Sequence, residues 1–212
     1  MKQIGIALFP GGQPDADFAF AMERLGFSTK VLRHTQKEVA ACAAVVLPSA
    51  MSFGGYFRPG ALAARTPLAR AIEDYAHKGG RVLGISDGFA VLTELKLLPG
   101  ALLPNMNARF FSTQLACRVV DDRHLFAQGL QQGRPFRLHV ASAHANYVFP
   151  FDIAPQEARV ALRFPENTVF SKSGIAAVAN TAGNVLGMLP MPERNWEADG
   201  GRLLAALFSW LS

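Results

Sequence analysis

A chain of 212 residues, half of them apolar, is sized for one compact domain with a sizeable core, which argues against disorder. Its net charge is +5, but the basic residues are scattered, so the clustered stripe of a nucleic-acid reader is absent while a phosphate-bearing ligand or acidic partner stays compatible. No apolar run approaches the roughly 20 residues of a membrane span, and Cys42 and Cys117 lack metal-ligand spacing, which points to buried apolar thiols.

The chain opens "MKQIGIALFPGGQPD". Its apolar run is too short for a secretory signal and stops at Pro10-Gly11-Gly12, so the expected compartment is the cytoplasm. "IGIALF" predicts a first buried parallel strand. A helix follows, with Phe18, Met22, Leu25 and Phe27 near one face. Asp15 and Asp17 stand at its start, where the helix dipole favours acids. "STKVLRH" and "AAVVLPS" are the second and third strands, and "SAMSFGGYFRPGA" is a loop rich in glycine and aromatics. Leu62, Leu68, Ile72 and Tyr75 predict an amphipathic helix over residues 62–76, closed by Gly79-Gly80. "RVLGIS" is a fourth strand, with a helix starting near Gly88.

This alternation through residue 98 predicts an α/β fold with an open, mostly parallel sheet flanked by helices. The second half differs. "RFFSTQLACRVV", "FRLHVAS" and "RVALRF" alternate more strongly and read as antiparallel additions. "NVLGMLP" is another buried strand, and "GRLLAALFSWL" a closing helix. With no repeat, low-complexity tract or linker, residues 1–212 are expected to form a single domain.

Sites in such sheets lie beyond the carboxyl ends of the strands. That rule selects loops at residues 10–17, 48–60, 86–89 and 190–196, with 141–147 a further candidate. The most telling is Gly84-Ile85-Ser86-Asp87-Gly88, a strand-to-helix elbow of the Gly-x-Ser-x-Gly kind that displays a nucleophile.

Several segments resemble the glutaminase subunit of phosphoribosylformylglycinamidine synthase, a class I glutamine amidotransferase. They are "FPGGQPDAD", "SFGGYFRPGALAAR", "LLPGALLPN", "ANYV" and "GNVLGMLPMPER", in the family's order and over nearly the whole chain. The resemblance implies a flavodoxin-like sheet and a Cys-His-Glu triad in which a thiolate attacks the glutamine amide and a histidine moves the proton.

Measured against that pattern the chain departs at decisive positions. Ser86 stands where the family has its cysteine, and Met191 where it has its histidine; only Glu193 of the triad remains. A thioether carries no titratable proton and cannot be a general base. The Pro-Gly-Gly after the third strand is Pro48-Ser49-Ala50, which puts side chains on a backbone that needed glycine. Ala90 replaces a glutamine of the elbow helix, and Ala141-Ser142-Ala143-His144 replaces Ala-His-Gly-Glu. Gly88, Asp87 and Asn146 complete the expected pocket, with Asp87 read as a first-turn acid.

Three functions follow. The chain is a homologue that has lost glutaminase activity and serves as an accessory subunit of a large ATP-dependent synthase-like partner. Or it is a serine hydrolase using Ser86 with His144 as substitute base. Or it is a binding module holding a small molecule in the emptied glutamine pocket. Arg58 and Arg194 are candidates for an anion or partner contact. Phe53, Tyr56, Phe57 and Trp196 pack loops or meet a partner. His34, His77, His124 and His139 read as surface or strand positions. No cofactor, metal, nucleic acid or membrane is called for.

Overall fold

In a computed structural model, the described residues are 3–12, 16–39, 41–55, 57–120, 133, 135–149, 158–165, 168, 170–171 and 173–209. Asp15, Tyr56 and His124 lie outside them. The first half comprises β1 (Gln3–Leu8), α1 (Ala16–Arg24), β2 (Ser28–Arg33), β3 (Ala44–Leu47), α2 (Pro67–His77), β4 (Arg81–Ile85) and α3 (Asp87–Glu94). The second comprises β5 (Ala101–Leu103), β6 (Phe111–Val119), β7 (Pro135–Ser142), β8 (Asn146–Val148), β9 (Ala158–Arg163), β10 (Ile175–Asn180), β11 (Val185–Met188) and α4 (Asp199–Leu207).

Among the described residues, nine strands share one sheet in the order β2-β1-β3-β4-β11-β10-β9-β6-β7. From β2 to β11 every pairing is parallel; from β11 to β7 every pairing is antiparallel. The two halves of the sequence thus become two halves of the sheet, as their hydrophobic patterns predict. Every residue of β3 is buried, because helices cover a parallel sheet on both faces. In β7, Phe136, Leu138 and Val140 are buried while Pro135 and Arg137 are exposed, the alternation of a sheet edge with one covered face.

The second helix starts later than its apolar spacing predicts. Residues 62–66 are not α-helical: Ala63–Arg65 form a 3-10 turn, and α2 begins at Pro67. Pro67 disfavours helical geometry in Thr66, which is extended at φ −78° and ψ 157°. Thr66 instead caps the helix, its Oγ1 accepting from the Ala69 N–H at 3.3 Å. The closing helix ends at Leu207, with Phe208 as its C-cap; residues 210 and 211, expected to belong to it, lie outside the described residues. β10 escapes a periodic reading because "IAAVAN" is buried on both faces, leaving no alternation to see. The small β5-β8 pair is likewise too short to announce itself.

Packing between helices is aromatic. The ring of Phe18 on α1 meets Phe208 edge-on at 6.4 Å, and Phe27 reaches the same ring at 6.2 Å. Cys117 is fully buried, and burial pushes its thiol up to about 12; Cys42, expected to be buried, is only partly so. No described helix is long and apolar enough to cross a membrane.

Candidate functional site

The elbow joins β4 to α3 at Ser86, whose backbone sits at φ 51° and ψ −108°. A side chain is rarely tolerated there, and such geometry costs about 1–3 kcal/mol. The surroundings enforce it. The Ser86 N–H donates to the Met188 carbonyl of β11 at 2.7 Å, and its own carbonyl accepts from the Phe89 N–H at 3.0 Å. Gly84 and Gly88 make the turn possible. A Cβ on Gly84 would lie 2.6 Å from the Gly88 carbonyl oxygen, and one on Gly88 would run into Leu47.

Asp87, next in the chain, opens α3 and is half-buried. A helix start favours a carboxylate, but desolvation wins, and the carboxyl is raised to about 6.

A cavity of about 570 Å³ opens over this elbow. Ser49, Met51 and Ser52 line it from the loop after β3, Ser86 and Asp87 from the elbow, and Met191 and Arg194 from the segment after β11. Residues 141–144 close another side. Phe110 and His139 complete the lining relevant to chemistry. Four of the five selected loops therefore meet; none of the described residues of the loop 10–17 contributes lining.

Among the expected site residues, Ser86, Ser49, Asp87, Ser142, Ala143, His144, Met191 and Arg194 come together around this space. Ala50, Gly88, Ala90, Asn146 and Glu193 lie outside its lining. Ala90 is buried within α3, and Asn146 pairs with Leu103 in the small sheet. Glu193 is 1% exposed in the 3-10 turn Pro192–Asn195, behind Met191. Arg194 pairs with Asp17 at 2.5 Å while facing the cavity. Arg58 is not itself a lining residue, although Pro59 and Gly60 after it are, and it pairs with Glu94 at 2.7 Å.

The loop carrying His144 is pinned from below. Asn105, 2% exposed, donates from Nδ2 to the Ser142 carbonyl at 2.9 Å and accepts the Ala145 N–H at 2.8 Å. The Ser142 hydroxyl accepts the His144 N–H at 2.9 Å. Burial lowers the His144 pKa, favouring its neutral form. Sequence reasoning passes over Asn105 because its partners are distant in the chain.

His139, which the sequence places at a surface or strand position, stands on the cavity wall. Strand periodicity carried the clue: His139 and Ala141 share a face of β7, opposite the buried Leu138 and Val140. Its Nε2 lies 3.1 Å from Ser112 Oγ. Its carbonyl accepts the Met191 N–H at 2.8 Å, so Met191, 4% exposed, is held beside it. No cluster of three or more metal-ligating side chains occurs among the described residues.

A family model described as CobB/CobQ-like glutamine amidotransferase domain matches residues 1–200. The chain belongs to this family. It is 40% identical over 205 residues to phosphoribosylformylglycinamidine synthase subunit PurQ of Aquifex aeolicus, covering 91% of this chain and 90% of the relative. The PurQ subunit of Synechococcus sp. (strain CC9605) is 38% identical over 213 residues, with 96% and 98% covered. A chain in the structure of PurLQS from Thermotoga maritima superposes with a TM-score of 0.91 at 30% identity, covering 100% of this chain and 99% of that one. The chain is thus a homologue of PurQ with the glutamine amidotransferase fold.

Proposed function

We propose that this chain has lost glutaminase activity and serves as an accessory subunit of a large ATP-dependent synthase-like partner, acting as a single domain. One observation carries the reading. Met191, at the position that resemblance assigns to the proton-transferring histidine, is buried in the cavity wall beside Ser86's elbow, and a thioether moves no proton. Ser49, Ala90 and Ser142 further alter positions that would hold glutamine. The elbow glycines and interlocked loops persist, which supports a retained scaffold role. The similarity to a chain of PurLQS supports the partner.

The test joins two measurements. The tagged chain is purified from its native cell extract, and co-purifying proteins are identified. The complex is then assayed with glutamine or with ammonium as nitrogen donor. The reading expects a synthase-like protein with an ATP site, turnover with ammonium and none with glutamine. Ammonia release from glutamine that is lost in Ser86→Ala overturns it.

A further inference from the structure

The isolated antiparallel bridge between His139 and Met191 has a chemical consequence. Residues directly opposite in such a pair send their side chains to one face, with Cβ atoms about 4.5–5.5 Å apart. Both of these side chains line the cavity. An imidazole therefore stands one cross-strand step from the thioether of Met191. Ser112 Oγ, at 3.1 Å from His139 Nε2, holds the ring. A hydroxyl accepts as well as donates, so in the tautomer with the proton on Nε2 that proton goes to Ser112 and Nδ1 carries the lone pair a base needs. The other ring nitrogen has no hydrogen-bond partner among the described residues.

Ser86 lines the same cavity and keeps the strained backbone of a displayed nucleophile. The first amides of α3, which by construction lack intrahelical acceptors, begin one residue later. We propose that Ser86 and His139 form a nucleophile–base pair for acyl transfer on small activated esters, a chemistry separate from glutamine hydrolysis and not dependent on the accessory role. Met51, Phe110 and Met191 give the cavity apolar wall, suited to a short acyl chain.

The step balances without a further reactant except water. Ser86 Oγ bonds to the carbonyl carbon as His139 takes the hydroxyl proton, and the carbonyl electron pair moves to oxygen. Collapse breaks the bond to the alkoxy leaving group, which receives the proton from His139. Water, deprotonated by the same imidazole, then attacks the acyl-serine, releasing the acid and restoring Ser86.

The experiment measures p-nitrophenyl acetate hydrolysis and fluorophosphonate labelling on the purified full chain, with the labelled peptide found by mass spectrometry. The label is expected on Ser86. His139→Gln should slow labelling by about 100-fold or more, the scale of general base catalysis, with an unchanged circular dichroism spectrum. His139→Ala should recover part of the rate when imidazole is added, which a structural role would not produce. His34→Ala, remote from the cavity, should label at the wild-type rate. An unlabelled Ser86 in folded protein, or a full rate in His139→Gln, overturns the proposal. Neither outcome touches the loss of glutaminase, which is read by ammonia release.

Discussion

Gly88 and Leu47 approach so closely that a side chain on the glycine has nowhere to go: its Cβ would run into the Leu47 carbonyl oxygen and carbon. The start of α3 is seated directly on the end of β3, and that seating fixes the direction of the elbow. Gly88→Ala must push backbone against backbone, which no rotamer change relieves. The expected loss is about 3 kcal/mol, the upper part of the range for overpacking. A urea titration followed by circular dichroism measures it; a midpoint equal to wild type would show that the approach is looser.

Ser86 is the reverse case. Its φ of 51° is one that glycine adopts freely. Ser86→Gly relieves strain of about 1–3 kcal/mol and loses about 0.5–1 kcal/mol to the greater freedom of the unfolded glycine. The net expectation is a stabilisation of about 1 kcal/mol, or roughly 2–4 °C in melting temperature for a domain of this size. Ser86→Ala keeps the strain and should show no such gain. Differential scanning calorimetry of the pair separates the two.

Asp87 gives a pH dependence with a definite sign. Burial raises its carboxyl from 3.8 to about 6 in the folded chain. The folded state therefore binds this proton more tightly than the unfolded state. The corresponding stability is fully present below pH 3.8 and is lost as pH rises through 6. The difference amounts to about 3 kcal/mol by linkage. Asp87→Asn, neutral throughout, should exceed wild type in stability at pH 7.5 and approach it near pH 4. Equal pH profiles for the two proteins would refute this.

Restoring the thiol alone should not restore glutaminase chemistry. In Ser86→Cys the positions that resemblance expects to hold glutamine still carry Ser49, Ala90 and Ser142, so the amide is not seated for attack whichever group moves the proton. Ammonia release from glutamine by this variant is expected to stay at background in an assay coupled to glutamate dehydrogenase. Recovery would show that the altered cavity still seats glutamine and would overturn the loss of glutaminase capacity.

Local pattern was enough for what depends on one segment at a time. The unbroken apolar runs of β1, β3 and β4 declare strands covered on both faces, and the alternation in β7 declares a half-covered one. The Gly-x-Ser-x-Gly string declares the elbow, because its close approaches exclude larger residues. Where two local rules compete, as at residues 62–66, the capping threonine and proline prevail over hydrophobic spacing.

Everything that depends on two distant segments was decided by tertiary structure. His139 reads as an ordinary strand histidine until the Met191 N–H meets its carbonyl, 52 residues on in the chain, and turns both side chains to one wall. Asn105 reads as the end of a loop until it is seen holding residues 142 and 145 in place. Hydrophobic periodicity records which face of an element is buried, not which other element covers it. The sequence alone therefore determined the fold class, the family resemblance and the altered nucleophile; only the folded chain decided which imidazole shares a wall with Met191.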